Sequence, residues 1–205
     1  MANILLLTSS PRNDQSLSTK VAKSIVHAIE AAEPGTTTVV RDLGANPPPH
    51  IGADYVEGRM LAATERTPGQ QQVVGLAEDL IAELMACDTL VIASAMVNFG
   101  IPSGLKSWLD HVLMAGKTFA YVDGAPKGLV TGRVAYVVQA RGGVYTEGPM
   151  KALDFQEPYL RATLGFMGIT DVRIVNVEGI AFGPEATEKA VAAAVDRIPG
   201  LLKAA

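Results

Sequence analysis

No stretch of this chain gathers its basic residues into a block, although it carries 17 Lys and Arg against 21 Asp and Glu. A nucleic-acid groove needs clustered cations, so no nucleic-acid partner is expected. Cysteine is nearly absent. Cys87 stands alone, which excludes a disulfide within the chain and a thiolate metal site. We therefore expect no metal and a reducing compartment. No apolar run approaches the roughly 20 residues of a membrane span. The N-terminus runs through Asn3 to Leu7 and turns polar at Thr8, without the basic start and long apolar core of a signal peptide. No membrane partner and a cytoplasmic location are the expectation. Three signatures are also missing: the Gly-Lys-Ser/Thr of a phosphate loop, the G-x-G-x-x-G of dinucleotide binding and the G-x-S-x-G of hydrolases.

What remains is a globular composition, 48% hydrophobic and 19% charged, with no linker, repeat or low-complexity segment. Residues 1–205 read as a single domain. Short apolar runs at Ile4–Leu7, Thr36–Val40, Thr89–Ala93, Arg133–Gln139 and Val172–Val177 alternate with helical periodicities. Helices are expected after Ser16 or Ser18, from Pro68 behind a Thr67 N-cap, from Ser103 to about Ala115, through Tyr159–Met167, and from Pro184. Residues 116–130 read as a small hairpin. Residues 42–67, with three consecutive prolines, read as an irregular rim over the site containing a short helix near Tyr55. The tail from Pro199 should fray. The alternation implies an α/β fold, a doubly wound five-stranded parallel sheet in the order 2-1-3-4-5.

Three strand exits carry the informative residues. The first opens into a hydroxyl-rich loop with Ser10, Ser16, Leu17 and Ser18, where a helix N-terminus and hydroxyl donors can cradle a phosphate without lysine. Simple capping explains the same serines. The third leads into Met96-Val97-Asn98-Phe99, an apolar, amide-bearing turn suited to a flat heteroatom-edged ring, or to an ordinary βα connection. The fourth ends in Ala140-Arg141-Gly142-Gly143, where the glycine pair permits left-handed backbone or close ligand approach, or merely a turn. In the proposed order all three exits meet at one crevice. A flavin mononucleotide needs all three features. His50 reads as a solvent-facing loop residue, and His27 and His111 as surface or packing residues.

The ordered set Ser9-Ser10, Ser16-x-Ser18, Asn46-Pro47, Met96-x-Asn98-Phe99-x-Ile101-Pro102-Ser103, Leu105-Lys106-x-Trp108-x-Asp110, Gly116-x-Thr118-Phe119-x-Tyr121, Gly128-Leu129-Val130-Thr131-Gly132, Arg141-Gly142-Gly143 and Leu164-Gly165-Phe166-x-Gly168-Ile169-Thr170-Asp171 resembles the FMN-dependent NAD(P)H azoreductase and quinone oxidoreductase family, of flavodoxin-like fold. The resemblance implies FMN as cofactor and NADH or NADPH as donor. It implies quinone, azo or nitroaromatic acceptors and a homodimer with sites at the interface. Ser10, Ser16, Leu17 and Ser18 would then hold the phosphate, and Met96, Val97, Asn98 and Phe99 the ring edge. Gly142 and Gly143, with Ala140 and Arg141, would contact the pyrimidine side. Phe119, Tyr121 and Phe166 would wall the substrate pocket, some of them from a second subunit. Position 97 is Val where the family often has Tyr, and position 114 is Met where a basic residue is common. An electron carrier or flavin-binding regulator of the same fold, or a nucleotide-binding protein without flavin, are the competing readings.

Overall fold

A computed structural model describes residues 2–203. Five strands form one parallel sheet: β1 (Asn3–Thr8), β2 (Thr37–Asp42), β3 (Thr89–Ala95), β6 (Val134–Ala140) and β7 (Asp171–Val177), ordered β2-β1-β3-β6-β7. Between β3 and β6 lies an antiparallel hairpin, β4 (Phe119–Val122) and β5 (Ala125–Gly128). With the hairpin set aside, this is the expected 2-1-3-4-5 order. The helices are α1 (Leu17–Ala32), α2 (Ala53–Gly58), α3 (Pro68–Ala86), α4 (Ser103–Val112), α5 (Gln156–Met167), α6 (Pro184–Asp196) and α7 (Ile198–Lys203).

The three central strands, β1, β3 and β6, are largely apolar because the pleat feeds two cores. Leu5, Leu7, Leu90, Ile92, Ala135 and Val137 pack with α3, α4 and α5 on one face. Ile4, Leu6, Val91, Ala93, Val138 and Val175 pack with α1, α6 and α7 on the other. Successive side chains point to opposite faces, so a central strand is apolar on both of them.

Three expectations need correction. The tail does not fray from Pro199: residues 198–203 form α7, with Ile198 buried in the second core, while Ala204 and Ala205 lie outside the described residues. Helix α4 stops at Val112 and not near Ala115. The Thr118 hydroxyl donates to the Val112 carbonyl at 2.6 Å and accepts from the Met114 N–H at 3.1 Å, replacing the next turn. Met114 is thereby buried in the first core.

The third correction concerns residues 42–67. They contain the expected short helix α2, but they clasp α4 and α3. Ser107 donates to the Pro48 and Pro49 carbonyls at 3.0 and 2.8 Å, and Tyr55 donates to the His111 carbonyl at 3.3 Å. His111 is a packing residue, its Nδ1 2.9 Å from the Ser107 carbonyl. His27 and His50 are exposed.

Candidate active site

The carboxyl ends of β1, β3 and β6 open on a cavity of about 800 Å³, with the loop after β7 closing its far side. A cavity of this size suits a cofactor. Ser10, Leu17, Met96, Val97, Ala140 and Gly142 line it. The parallel registers, which pair Thr8 with Ala93 and Ala95 with Ala140, bring these exits level.

At the β1 exit, Ser16 is the N-cap of the 16-residue α1 and accepts from the Thr19 N–H at 3.2 Å. Its hydroxyl also shares a 3.1 Å hydrogen bond with the Ser18 hydroxyl, and both side chains are buried. The Leu17 and Ser18 N–H groups make no hydrogen bond among the described residues. Two free backbone donors, two hydroxyls and the positive end of a four-turn helix thus converge. Two glycines fix this corner. A Cβ on Gly44 would lie 2.6 Å from the Ser10 carbonyl, and one on Gly104 would lie 2.4 Å from the Leu43 carbonyl. Residues 43–47 are therefore wedged between the phosphate-type loop and the start of α4.

At the β3 exit, the Val97 and Gly100 backbones exchange two 3.0 Å hydrogen bonds around Asn98 and Phe99, whose φ angles are +46° and +72°. This is the pattern of a type I′ turn. Asn tolerates that backbone; Phe is a poor choice for it and signals stored strain. The Phe99 ring is 40% exposed and stands edge-on to Tyr145 at 6.4 Å, outside the set lining the cavity. Met96 is anchored by donating to the Ala140 carbonyl at 2.8 Å.

At the β6 exit, Gly142 and Gly143 have ordinary φ, so the pair does not serve a left-handed turn. Their N–H groups have no acceptor among the described residues, and a Cβ on Gly142 would meet only the Ala181 side chain, at 3.7 Å. The glycines leave open space and free donors beside the cavity. Arg141 is placed differently from the sequence expectation. Its side chain is fully buried behind the wall, and its N–H is taken by the Val177 carbonyl at 2.9 Å.

Phe119, Tyr121 and Phe166 do come together, with ring centroids 4.7 Å apart for Phe119–Phe166 and 5.9 Å for Phe119–Tyr121. None of the three lines the cavity. Tyr121 is 66% exposed, so the cluster presents aromatic surface outward. The backbones of Gly128 and Gly168 touch beneath it, where a Cβ on Gly128 would fall 2.3 Å from the Gly168 nitrogen.

The sequence reading missed the far wall, made by Ile180, Ala181, Gly183, Pro184, Thr187 and Glu188. Its signal was the Gly179…Gly183-Pro184 punctuation after β7. Both glycines have left-handed φ, +75° and +114°, and Pro184 begins the 13-residue α6. A second helix N-terminus therefore faces the cavity. Arg12 and Glu188 add one charge of each sign at the mouth.

The arrangement fits a flavin mononucleotide. It pairs an anion cradle with an apolar wall from Met96 to Val97 and with free N–H donors on the opposite side. Among the described residues no group of acids, histidines or cysteines can hold a metal, and no helix is long and apolar enough to cross a membrane.

Residues 2–201 match the profile of a family described as having the flavodoxin-like fold. The chain is similar to proteins named FMN-dependent NADH:quinone oxidoreductase. That of Mesorhizobium japonicum is 46% identical over 98% of this chain and 95% of its own. One from Rhizobium etli is 48% identical over the whole of both chains. Among solved structures, an azoreductase from Bacillus anthracis superposes with a TM-score of 0.89 at 28% identity, covering 97% of each chain. An FMN-dependent NADH-azoreductase from the same organism, solved in complex with FMN, gives 0.86 at 27% identity over 97% of this chain and 99% of that one.

Proposed function

The chain belongs to the family with the flavodoxin-like fold, and from that premise we propose that it is an FMN-dependent oxidoreductase that takes electrons from NADH and reduces quinones and azo compounds. The names of relatives at 46–48% identity over nearly full length support this reading. The observation that carries it is the meeting, in one cavity, of the lysine-free anion cradle at α1 with the Met96–Val97 wall and Gly142.

Bound FMN would supply the redox chemistry, accepting a hydride from the nicotinamide and delivering two electrons to the acceptor. The protein's part is binding and orientation. Leu17 and Ser18 N–H groups and the Ser16 and Ser18 hydroxyls hold the phosphate; Ser10 closes the loop. Met96 and Val97 border the ring, and the Asn98–Phe99 turn beyond them fixes their placement. The Gly142 and Gly143 N–H groups donate where negative charge gathers on reduction, a fixed-dipole stabilisation that needs no reorganisation. No side chain of the cavity need act as an acid or base.

Donor and acceptor use the same space in turn, because no second nucleotide fingerprint lies beside the first. Ping-pong kinetics follow. Nitroaromatics and NADPH extend the range of partners, since an aromatic pocket discriminates weakly between similar flat rings. The Phe119–Tyr121–Phe166 cluster, which does not line its own chain's cavity, walls the pocket of a second copy in a homodimer. The purified protein should be yellow, and initial rates across a matrix of NADH and quinone concentrations should give parallel double-reciprocal lines. Absence of a flavin spectrum after loading with FMN would end the reading; intersecting lines would end its shared-space element.

A further inference from the structure

Arg141 is the largest charged side chain buried completely among the described residues, and the reaction outlined above does not use it. Its guanidinium meets four groups closely and lies 4.0 Å from a fifth, Glu157 Oε2. Nε donates to Gln156 Oε1 at 3.1 Å, Nη1 to Glu178 Oε1 at 3.2 Å, and Nη2 pairs with Asp154 Oδ2 at 3.0 Å and with Gln139 Oε1. These partners come from the exits of β6 and β7 and from the start of α5.

Three of these partners, Glu178, Gln156 and Asp154, each hold a second group. Glu178 accepts from the Tyr145 N–H at 2.7 Å, the Thr146 N–H at 3.2 Å and the Thr146 hydroxyl at 2.6 Å. It thus fastens the segment that follows Gly142 and Gly143. Gln156 donates to the Ser94 hydroxyl at 2.9 Å and carbonyl at 3.2 Å, one residue before the cavity wall begins at Ala95. Asp154 caps α5 by accepting from the Gln156 and Glu157 N–H groups at 3.0 and 3.1 Å. Between Asp154 and Gln156, the Phe155 N–H donates to the Phe99 carbonyl at 3.1 Å, which pins the strained turn. One buried cation therefore stands at the junction of both flanks of the cavity.

We propose that Arg141 is a positioning residue that couples the Gly142–Thr146 loop, through Glu178, to the Met96–Phe99 turn, through Gln156 and Asp154, so that both flanks of the cavity form together. Coupling of this kind is physical because the hub is buried. A hydrogen bond removed from a desolvated guanidinium leaves a charge that must find another partner or draw in water, and each such shift moves a segment bearing cavity residues. The role toward FMN rests on the proposed function; the coupling itself does not.

The experiment uses the full chain with and without FMN. The variants are Glu178→Ala, Glu178→Gln, which keeps an acceptor for the two amides, and Thr146→Val, an exposed change that removes one hydroxyl bond. Ile81→Val, on α3 in the first core and outside the hub's hydrogen bonds, serves as a control for generic destabilisation. Amide exchange on the FMN-free chain reads the coupling. Glu178→Ala should speed exchange at Tyr145, Thr146 and also Phe155, whose amide Glu178 does not touch, while Ile81→Val should leave the three alike. Faster exchange confined to 145–146 overturns the proposal. FMN titration reads the consequence: about tenfold weaker binding for Glu178→Ala, partial recovery in Glu178→Gln and a smaller loss in Thr146→Val. If the wild type binds FMN and all three variants bind it equally well, the positioning role is wrong. If the wild type binds none, the functional reading falls while the exchange result still decides the coupling.

Discussion

Ser16 does two things that one substitution separates. It caps α1 through its hydroxyl, which accepts from the Thr19 N–H at 3.2 Å, and it faces the proposed phosphate cradle. Aspartate caps a helix as well as serine does and adds about 0.3–1 kcal/mol with the helix dipole. Against this stands the burial of a larger, charged side chain at a site only 2% exposed. The Ser18 hydroxyl, 3.1 Å from the Ser16 oxygen, can donate to the new carboxylate. These effects offset, and Ser16→Asp without FMN should melt within about 4 °C of the wild type, the equivalent of about 1 kcal/mol for a chain of this size.

A phosphate accepting from the Leu17 and Ser18 N–H groups is a near neighbour of the capping carboxylate. At a separation of about 4 Å and an effective dielectric constant of about 20, two unit charges repel by about 4 kcal/mol. FMN affinity should then fall about a thousandfold. Ser16→Ala should show the reverse balance: a lost cap costs about 1 kcal/mol in the FMN-free protein, while a single lost hydrogen bond to a charged group weakens binding about ten- to a hundredfold. Fluorescence titration measures the affinities. Melts with FMN add a check, since a ligand at 100 times its Kd stabilises by about 2.7 kcal/mol and the aspartate variant should gain almost nothing. An aspartate variant that keeps FMN within tenfold of the wild-type Kd would refute the placement of the phosphate.

Gly104→Ala puts a Cβ 2.4 Å from the Leu43 carbonyl, in backbone pinned on both sides, and should cost about 1–3 kcal/mol; an unchanged thermal melt would contradict the wedge. Gly143→Val brings a Cβ to 3.4 Å from the Tyr145 ring, ordinary contact at that atom, so the fold should survive while FMN binding weakens strongly; full flavin occupancy would show that the Gly142–Gly143 donors do not face the ring. Cys87 is buried, its thiol pushed up to about 11 by desolvation, and should resist alkylation at pH 8 in the native protein. Its protonated form is favoured by folding, so that contribution is whole below the unfolded thiol's ordinary pKa of about 8.5 and is lost as pH rises toward 11. Denaturant midpoints for Cys87→Ala should therefore fall less steeply over that range than those of the wild type, and equal slopes would contradict the burial effect.

The sheet was legible because its central strands are buried on both faces, and a run such as Ile4-Leu5-Leu6-Leu7 has no other use in a globular domain. The cradle was legible because serine at a strand-to-helix junction has a narrow set of roles. What failed to show was whatever depends on contacts distant in sequence. Thr118 ending α4 six residues back is a tertiary hydrogen bond without a local pattern. The clasp of residues 48–55 on α4 depends on Ser107, an unremarkable helix serine by composition. Arg141 read as a site residue because it adjoins the glycine pair; alternation sends its side chain to the far side of the wall, where acids from positions 154 and 178 meet it. The α6 wall was missed because a loop of Gly, Ala and Pro advertises no chemistry, although its backbone does the lining.

The distribution of charge explains why geometry matters so much here. Among the described residues the cavity lining is neutral apart from Arg12 and Glu188, and its donors are backbone N–H, hydroxyl and the Gln15 amide. Neutral donors stabilise an added negative charge without holding it so tightly that it cannot be passed on, whereas an unbalanced cation in a desolvated wall would favour one charge state heavily. The chain keeps its buried cation one layer back and surrounds it with carboxylates, Asp154 at 3.0 Å and Glu178 at 3.2 Å, so that little of its field reaches the cavity uncompensated. The strength of a neutral donor falls steeply with distance and angle, so such a site works only if its backbone is held in place. The left-handed Phe99, the glycine contacts at 44 and 104 and the Arg141 hub answer that requirement at three different exits of the sheet. A site built on a lysine or arginine could tolerate looser walls; this one cannot, and its glycines and buried polar residues are the positions where substitution should be felt first.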